Sequence, residues 1–441
     1  MQFFHSSVKL SRRALDLSLK AGVFIKLKHP LLVELIGRYF WELKEKLLRM
    51  SVPWLSRVTA AMLGVCVASG FAVGADTPHY LITNDDVAEP ATSSITFYSV
   101  AADGLLTMKT KVAMGVGGIG GGYFAANRVN VLDGGNAECV YASQAATGEI
   151  EEISAKTLTL SGHASGSKKD TGASNGVGLA MTSQYLYASF TDHSTIGTFQ
   201  VKPGCKLRFV GDVKVVGLQK GTIDGMVVHG SIMVVTYGDG SIESFKISEG
   251  KPVSNGDEQN STGSHNGDTY PSGIDITQDG HYAIFGDTSP FTIIEVSDIS
   301  SGKLTPTVVY HLGNELNSSN ILLSPDETLL YISNNQSGTI TAAFFNKTTG
   351  KLTKGCATRS LKDFATDWVY LGALGLEKTT GTGGVVYVAE FAAPLESSSI
   401  GIVNVKSTGG TCTLKEASVS PASDPNSQGL LSIGVFPPRP F

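Results

Sequence analysis

Short apolar segments with a branched or aromatic centre recur along the chain from residue 79 onward. They read His79-Tyr-Leu-Ile-Thr, Cys139-Val-Tyr-Ala-Ser, Tyr185-Leu-Tyr-Ala-Ser, Ile232-Met-Val-Val-Thr, Tyr282-Ala-Ile-Phe-Gly, Leu330-Tyr-Ile-Ser-Asn and Val386-Tyr-Val-Ala-Glu. Successive copies start 46–60 residues apart. Each is too short for a helix and lacks its period, so each predicts a strand covered on both faces. A second apolar strand precedes most copies, as in Gly178-Leu-Ala-Met-Thr-Ser, Gly273-Ile-Asp-Ile-Thr-Gln-Asp-Gly and Ile321-Leu-Leu-Ser-Pro-Asp-Glu. An alternating strand follows most of them: Ser94-Ile-Thr-Phe-Tyr-Ser-Val, Thr195-Ile-Gly-Thr-Phe-Gln-Val, Ser241-Ile-Glu-Ser-Phe-Lys-Ile, Thr339-Ile-Thr-Ala-Ala-Phe-Phe and Ser399-Ile-Gly-Ile-Val-Asn-Val. Turns such as Ser301-Gly-Lys-Leu and Thr349-Gly-Lys-Leu then lead into a fourth strand.

Four strands per unit, seven units and polar turns between them predict an all-β, seven-bladed propeller. The ends of the body predict how the ring closes. The first unit begins at its second strand and so lacks an innermost one. The tail Gly429-Leu-Leu-Ser-Ile-Gly-Val-Phe-Pro-Pro supplies a strand of that type with no unit of its own. Pairing the two removes the open edges that a linear array would expose.

Residues 115–122, GVGGIGGG, contain G-x-G-x-x-G. A dinucleotide loop needs a following helix, and here two more glycines and a strand-like run follow. The repeat instead places the segment where the outermost strand of the first unit crosses to the innermost strand of the second, which is expected to begin near Tyr123. Consecutive amides could also form an anion nest at that place.

Charge divides the chain into parts. Residues 1–49 hold ten Lys/Arg and four Asp/Glu, and residues 50–75 hold Arg57 alone. Of the 34 basic and 39 acidic groups in the whole chain, 34-10-1 = 23 and 39-4 = 35 remain for residues 76–441, a net charge of -12. Phosphate backbones require concentrated positive charge, so a nucleic-acid partner is not expected. The stretch MSVPWLSRVTAAMLGVCVASGFAVGA, residues 50–75, has a basic start, an apolar run and small residues at Val73-Gly74-Ala75. It is expected to be a signal peptide that touches the membrane only in transit, with the body exported to the periplasm or cell exterior. Leu63-Gly-Val-Cys66 departs from a lipoprotein cleavage box at Val65. The preceding 1–49 segment, with its basic amphipathic run, is either a mis-called start upstream of Met50 or a membrane-surface helix. Four cysteines remain in the body: Cys139, Cys205, Cys356 and Cys412. Export permits two disulfides among them in any of three connectivities, and their spacing fits no zinc motif.

The phrases Ser324-Pro-Asp-Glu-Thr-Leu-Leu-Tyr-Ile-Ser-Asn-Asn and Gln278-Asp-Gly-His-Tyr-Ala-Ile-Phe resemble the YVTN-type β-propeller repeat. In particular they resemble the seven-bladed lactonase family that includes 6-phosphogluconolactonase and fungal muconate-lactonizing enzymes. The likeness covers about residues 76–441. It implies a lactonase site of His, Arg and Glu residues on the inner strands facing the channel. This chain departs from that pattern. Gly172-Ala-Ser-Asn-Gly-Val-Gly stands where a His-x-His strand opening is expected. Tyr270-Pro-Ser-Gly-Ile and Asn317-Ser-Ser-Asn-Ile stand where Pro-Arg-His is expected. Lactone opening requires a base for water and a cation for the oxyanion, so these departures weigh against catalysis.

Arg128 is the basic residue of the proposed inner strand of blade two, as a channel group or a structural ion-pair partner. The second strands close on acidic residues at Asp85, Asp86, Asp192 with His193, Asp239, Asp287 and Glu390. A propeller gathers those turns on one face, where a carboxylate rim would attract a cationic or polyhydroxylated ligand. Asp is also common in turns because it bonds nearby amides. His163, His265, His281 and His311 show no ligand spacing, and neither metal nor cofactor is expected. The expectation is therefore an exported, monomeric binding or scaffold propeller without catalysis, presenting one loop face to a small polar ligand or a protein. The alternative is a divergent lactonase-type or other hydrolase that uses Arg128 and the acidic mouth residues with a metal.

Overall fold

The computed structural model describes residues 79–438 apart from short segments, of which the longest are 116–128, 167–176, 262–270, 362–368 and 425–431. The described residues form seven antiparallel sheets. In blade 1, β1 (Tyr80–Asn84), β2 (Ser94–Val100) and β3 (Leu106–Ala113) are joined by β30 (Ser432–Phe436). Blade 2 contains β4 (Val129–Gly134), β5 (Ala137–Gln144), β6 (Glu149–Ser154) and β7 (Thr159–Ser165). Blade 3 contains β8 (Val177–Met181), β9 (Tyr185–Phe190), β10 (Thr195–Val201) and β11 (Leu207–Lys214). Blade 4 contains β12 (Ile223–His229), β13 (Ile232–Tyr237), β14 (Ser241–Ser248) and β15 (Lys251–Ser254). Blade 5 contains β17 (Pro271–Ile276), β18 (Tyr282–Asp287), β19 (Thr292–Asp298) and β20 (Val308–Gly313). Blade 6 contains β21 (Ser318–Leu323), β22 (Leu329–Asn334), β23 (Thr339–Asn346) and β24 (Lys351–Ser360). Blade 7 contains β25 (Val369–Glu377), β26 (Gly383–Ala392), β27 (Ser397–Thr408) and β28 (Thr411–Glu416). Two short additions extend the four-stranded plan: β16 (Gln259–Asn260) pairs with β14, and β29 (Ala422–Asp424) pairs with β27.

Each recurring apolar segment is the second strand of a blade. The ring closes at the tail: β30 runs antiparallel to β1, with Leu81 opposite Val435 and Thr83 opposite Ile433. The innermost strands touch in the circular order β30, β4, β8, β12, β17, β21, β25 and back to β30. They therefore surround an axial channel. The expected start of the second inner strand near Tyr123 falls outside the described residues, where β4 begins at Val129. The glycine-rich 116–122 segment lies outside them too, on the link from β3 to β4.

The seven hydrophobic clusters explain why the second strands read as unbroken apolar runs. Each cluster fills the space between two adjacent blades. Side chains alternate across a strand, so Leu81 packs toward blade 7 while Ile82 packs toward blade 2. On β22, Leu330 faces blade 5 and Tyr331 faces blade 7. Burying one such side chain contributes about 1.5–3 kcal/mol. Polar side chains in a strand of this kind would strip the core from two interfaces at once.

Two disulfides cross blade boundaries. Cys139 on β5 bonds Cys205, in a single 3-10 turn of blade 3, and Cys356 on β24 bonds Cys412 on β28. The turns supply further joints. Gly350, at φ +65°, lies so close to the Tyr282 ring of blade 5 that an added Cβ would sit 2.6 Å from it. The Ser/Thr-x-Asp turns between first and second strands are built by side chains. The Ser324 hydroxyl donates to Asp326 at 2.7 Å and accepts the Leu329 amide at 3.0 Å, and Thr277 and Asp279 repeat the arrangement. This is why the Ser-Pro-Asp and Thr-Gln-Asp phrases recur.

Glu151, on β6, is 1% exposed, and among the described residues its Oε2 has no hydrogen-bond partner. Burial first, then Glu149 and Glu152, push its carboxyl up to about 8 from the ordinary 4.5. An acid whose folded pKa is raised keeps its proton in the folded chain after the unfolded chain has lost it. Stability therefore falls between pH 4.5 and about 8 and levels off above. Replacing Glu151 with Gln is expected to add on the order of 2 kcal/mol at pH 8. Below pH 4.5 it should change little. Urea unfolding at the two pH values checks both limits.

Candidate functional site

Hairpin turns that follow the second strands lie at the same end of every blade as the links entering the next innermost strand. Three residues expected to form an acidic rim there can be followed to their partners, and all three turn inward. Asp85, buried at the end of β1, accepts hydrogen bonds from the hydroxyls of Thr96 at 2.9 Å, Thr83 at 3.2 Å and Ser94. Asp239 sits in the turn between β13 and β14. Its Oδ2 accepts the amides of Gln219 at 2.7 Å and Gly221 at 2.8 Å, and its Oδ1 accepts the amide and hydroxyl of Ser241. Burial alone would raise this carboxyl, but the bonds from Ser241, Gly221 and Gln219 outweigh it and hold Asp239 below the ordinary aspartate value. Glu390 is not at the end of its strand but inside β26, 2% exposed, beside Gly401 and accepting the Ser399 hydroxyl at 3.4 Å. Asp287 closes β18 opposite Pro271. Arg128, Asp86, Asp192 and His193 lie outside the described residues.

The link that Asp239 grips has glycine at the two contact points. A Cβ on Gly217 would meet Asp239 Oδ2 at 2.4 Å, and one on Gly221 would meet its Cγ at 2.5 Å. Only glycine lets the backbone wrap the carboxylate this closely. Replacing Asp239 with Ala strands three amides, those of Gly221 and Ser241 part-buried and that of Gln219 exposed, and is expected to cost about 1–3 kcal/mol. The cost should shrink as pH drops through the folded carboxyl's range, because a lowered pKa contributes stability only above it. Thermal unfolding across pH checks the sign.

Three residues beyond Gly221 the inner strand bulges. In β12, Ile223 is opposite Tyr237 and Gly225 opposite Thr236, which leaves Asp224 unopposed. The same interruption leaves Ser272 unopposed in β17 and Ser319 in β21. Three consecutive blades therefore carry a bulge near the start of the innermost strand, one with a carboxyl and two with serine. Bulges cluster next to functional sites because they turn a side chain out of the sheet. Strand β12 is covered by β13 on its outer side and flanked by β8 and β17. The remaining edge of β12 borders the axial opening, and Asp224 on that strand is half-buried. Burial pushes its carboxyl up to about 7, with no charged neighbour or hydrogen bond contributing. Asp224 was not among the rim residues expected from the sequence. The signal was present in Thr222-Ile-Asp224-Gly225, because a glycine inside a strand pattern marks a bulge.

Among the described residues, no group of three or more His, Cys, Asp or Glu is placed to hold a metal ion. At the other end of blade 6, Asp326, Glu327, Phe344 and Lys347 line a hollow of about 480 Å³. Its carboxylates are already engaged, Asp326 with Ser324 and Thr328, and Glu327 with the Gln278 amide.

A closed ring of seven blades around an axial opening defines a seven-bladed β-propeller. The sequence pattern of the lactonase family of seven-bladed β-propellers matches residues 139–425, and the chain belongs to that family. A candidate 6-phosphogluconolactonase from Bacteroides fragilis has a similar structure, with 12% identity and a TM-score of 0.57 over 82% of this chain and 99% of that one. A functionally unknown protein from Desulfotomaculum acetoxidans is similar at 14% identity and TM-score 0.55, over 81% of this chain and 98% of that one. At these identities the likeness concerns the fold. No curated protein matches the chain.

Proposed function

We propose that this member of the lactonase family is an exported, monomeric binding protein without catalytic turnover, which presents the axial opening to a small polar ligand or a protein partner. One observation carries the reading. The bulged inner strands of blades 4, 5 and 6 place Asp224, Ser272 and Ser319 at equivalent positions. Those register positions carry one carboxyl and two serines and no cation for an oxyanion, which lactone opening requires. The engagement of Asp85 and Asp239 in their own hairpins supports the same view. Two disulfides support export, because such bonds persist in oxidising compartments.

The raised carboxyl of Asp224 favours a second reading, a divergent lactonase-type hydrolase in which this group takes a proton from water. Steady-state hydrolysis of a panel of sugar and dicarboxylate lactones separates the two. Rates at the buffer background are expected. Measurable turnover that falls about 100-fold in Asp224→Asn, or disappears in Arg128→Ala, would establish the hydrolase instead.

A further inference from the structure

Among the described residues Asp224 has no hydrogen-bond partner, and unlike Glu258, whose carboxyl has Glu243 and Asp239 as charged neighbours, it has no charged neighbour either. Asp85 and Asp239 are saturated by hydroxyls and amides. Only burial acts on Asp224. Among the described residues, the elements packed around β12 supply no counter-charge. On β13, Tyr237 donates to Glu243 at 2.8 Å. On β17, Asp275 accepts the Leu323 amide at 2.8 Å and the Ile276 amide at 2.7 Å. On β9, Tyr185 and Tyr187 carry no charge, and β8 is Val-Gly-Leu-Ala-Met. The neighbouring bulges add serine at the register positions of Ser272 and Ser319. The body around the channel is acidic, with 35 Asp/Glu against 23 Lys/Arg in residues 76–441.

We propose that the bulged arc of blades 4–6 is a binding site for an organic ammonium ion, with the Asp224 carboxylate as its ion-pairing partner. This rests on the binding reading above and narrows it to a ligand class. A lone carboxylate suits an ammonium group, which asks for one counter-charge and hydrogen-bond acceptors, better than a metal ion, which asks for several ligands at fixed geometry. A buried charge is costly without a partner. Loss of the Asp224 proton and binding of a cation therefore favour each other, so that the site strengthens as pH rises through about 7.

The test is calorimetric titration of the full chain with n-butylammonium chloride, with sodium n-butyrate and glucose as comparison probes. Butylammonium is expected to saturate a single site about tenfold more tightly at pH 8 than at pH 6, the ratio of ionised Asp224 for a group titrating at about 7. Asp224→Asn should weaken it tenfold or more while leaving the thermal midpoint close to that of the parent. If the variant fails to fold, the pH ratio of the parent chain still decides. Butylammonium binding that ignores pH, or no binding by any probe, overturns the proposal. Saturation by butyrate or glucose alone overturns it too, yet leaves the binding reading standing. Lactone turnover with no probe binding overturns both.

Discussion

A chain ended at Asp424 is expected to lose the cooperative unfolding transition altogether. That truncation removes β30, the strand that occupies the innermost place of blade 1. Phe436 is fully buried between blades 1 and 2, and Ile433 packs with Leu81 against blade 7. The strand therefore anchors two interfaces besides its own sheet. Without it, β1 offers an unpaired apolar edge to solvent, a template for association between chains. A milder change should show the same dependence in graded form: Phe436→Ala is expected to cost about 3–5 kcal/mol. Differential scanning calorimetry and size-exclusion chromatography measure the two effects. A truncated chain that stays monomeric and unfolds within a few degrees of the parent would contradict ring closure by the tail.

The second large effect concerns the inter-blade disulfides. Cys139 and Cys205 are 66 residues apart, and Cys356 and Cys412 are 56 apart. Cross-links over loops of that length restrict the unfolded chain by about 4 kcal/mol each on the loop-closure account. That is a large share of the roughly 5–15 kcal/mol by which a domain is stable. The double variant Cys139→Ala/Cys205→Ala should therefore unfold at markedly lower urea concentration, and reduction of the parent with dithiothreitol should reproduce the loss. The effect should fall on interfaces rather than on single blades, with amides of β5 and β10 losing protection from hydrogen exchange together. An unchanged urea midpoint after complete reduction, checked by counting four free thiols, would show that the blades hold without these bonds.

The architecture could be read from the sequence because a propeller repeats its physics. Every second strand must be apolar on both faces, since Leu81 and Ile82 serve different interfaces, and this produces a run that stands out seven times. Ring closure was legible for a related reason: an unmatched strand at one end answered a missing strand at the other. The site was far less legible. Asp85 and Asp239 sit in the turns where the repeat placed them, but a sequence does not show what their carboxylates touch. Serine and threonine neighbours two residues away, Thr83 and Ser241, were the local sign that these aspartates would bond their own hairpins. Glu390 reads as a strand end because Phe391 and Ala392 precede a polar loop, yet pairing continues to Ala392 opposite Ser397. Asp224 escaped because the repeat was anchored on second strands, and a bulge breaks the two-residue alternation on the strand before it. Cysteine pairing could not be read either, because it depends on which blades are neighbours in space.

These differences converge on one division among the carboxylates. Some belong to the frame, and Asp224 belongs to the opening. Carbon-detected NMR of the side-chain carboxyls across pH 3–9 tests that division directly. Asp224 is expected to titrate near 7, with a midpoint that drops on adding butylammonium, while Asp239, Asp279 and Asp326 stay ionised to below the ordinary aspartate value. An Asp224 carboxyl that titrates together with them, and does not respond to the cation, would contradict the account.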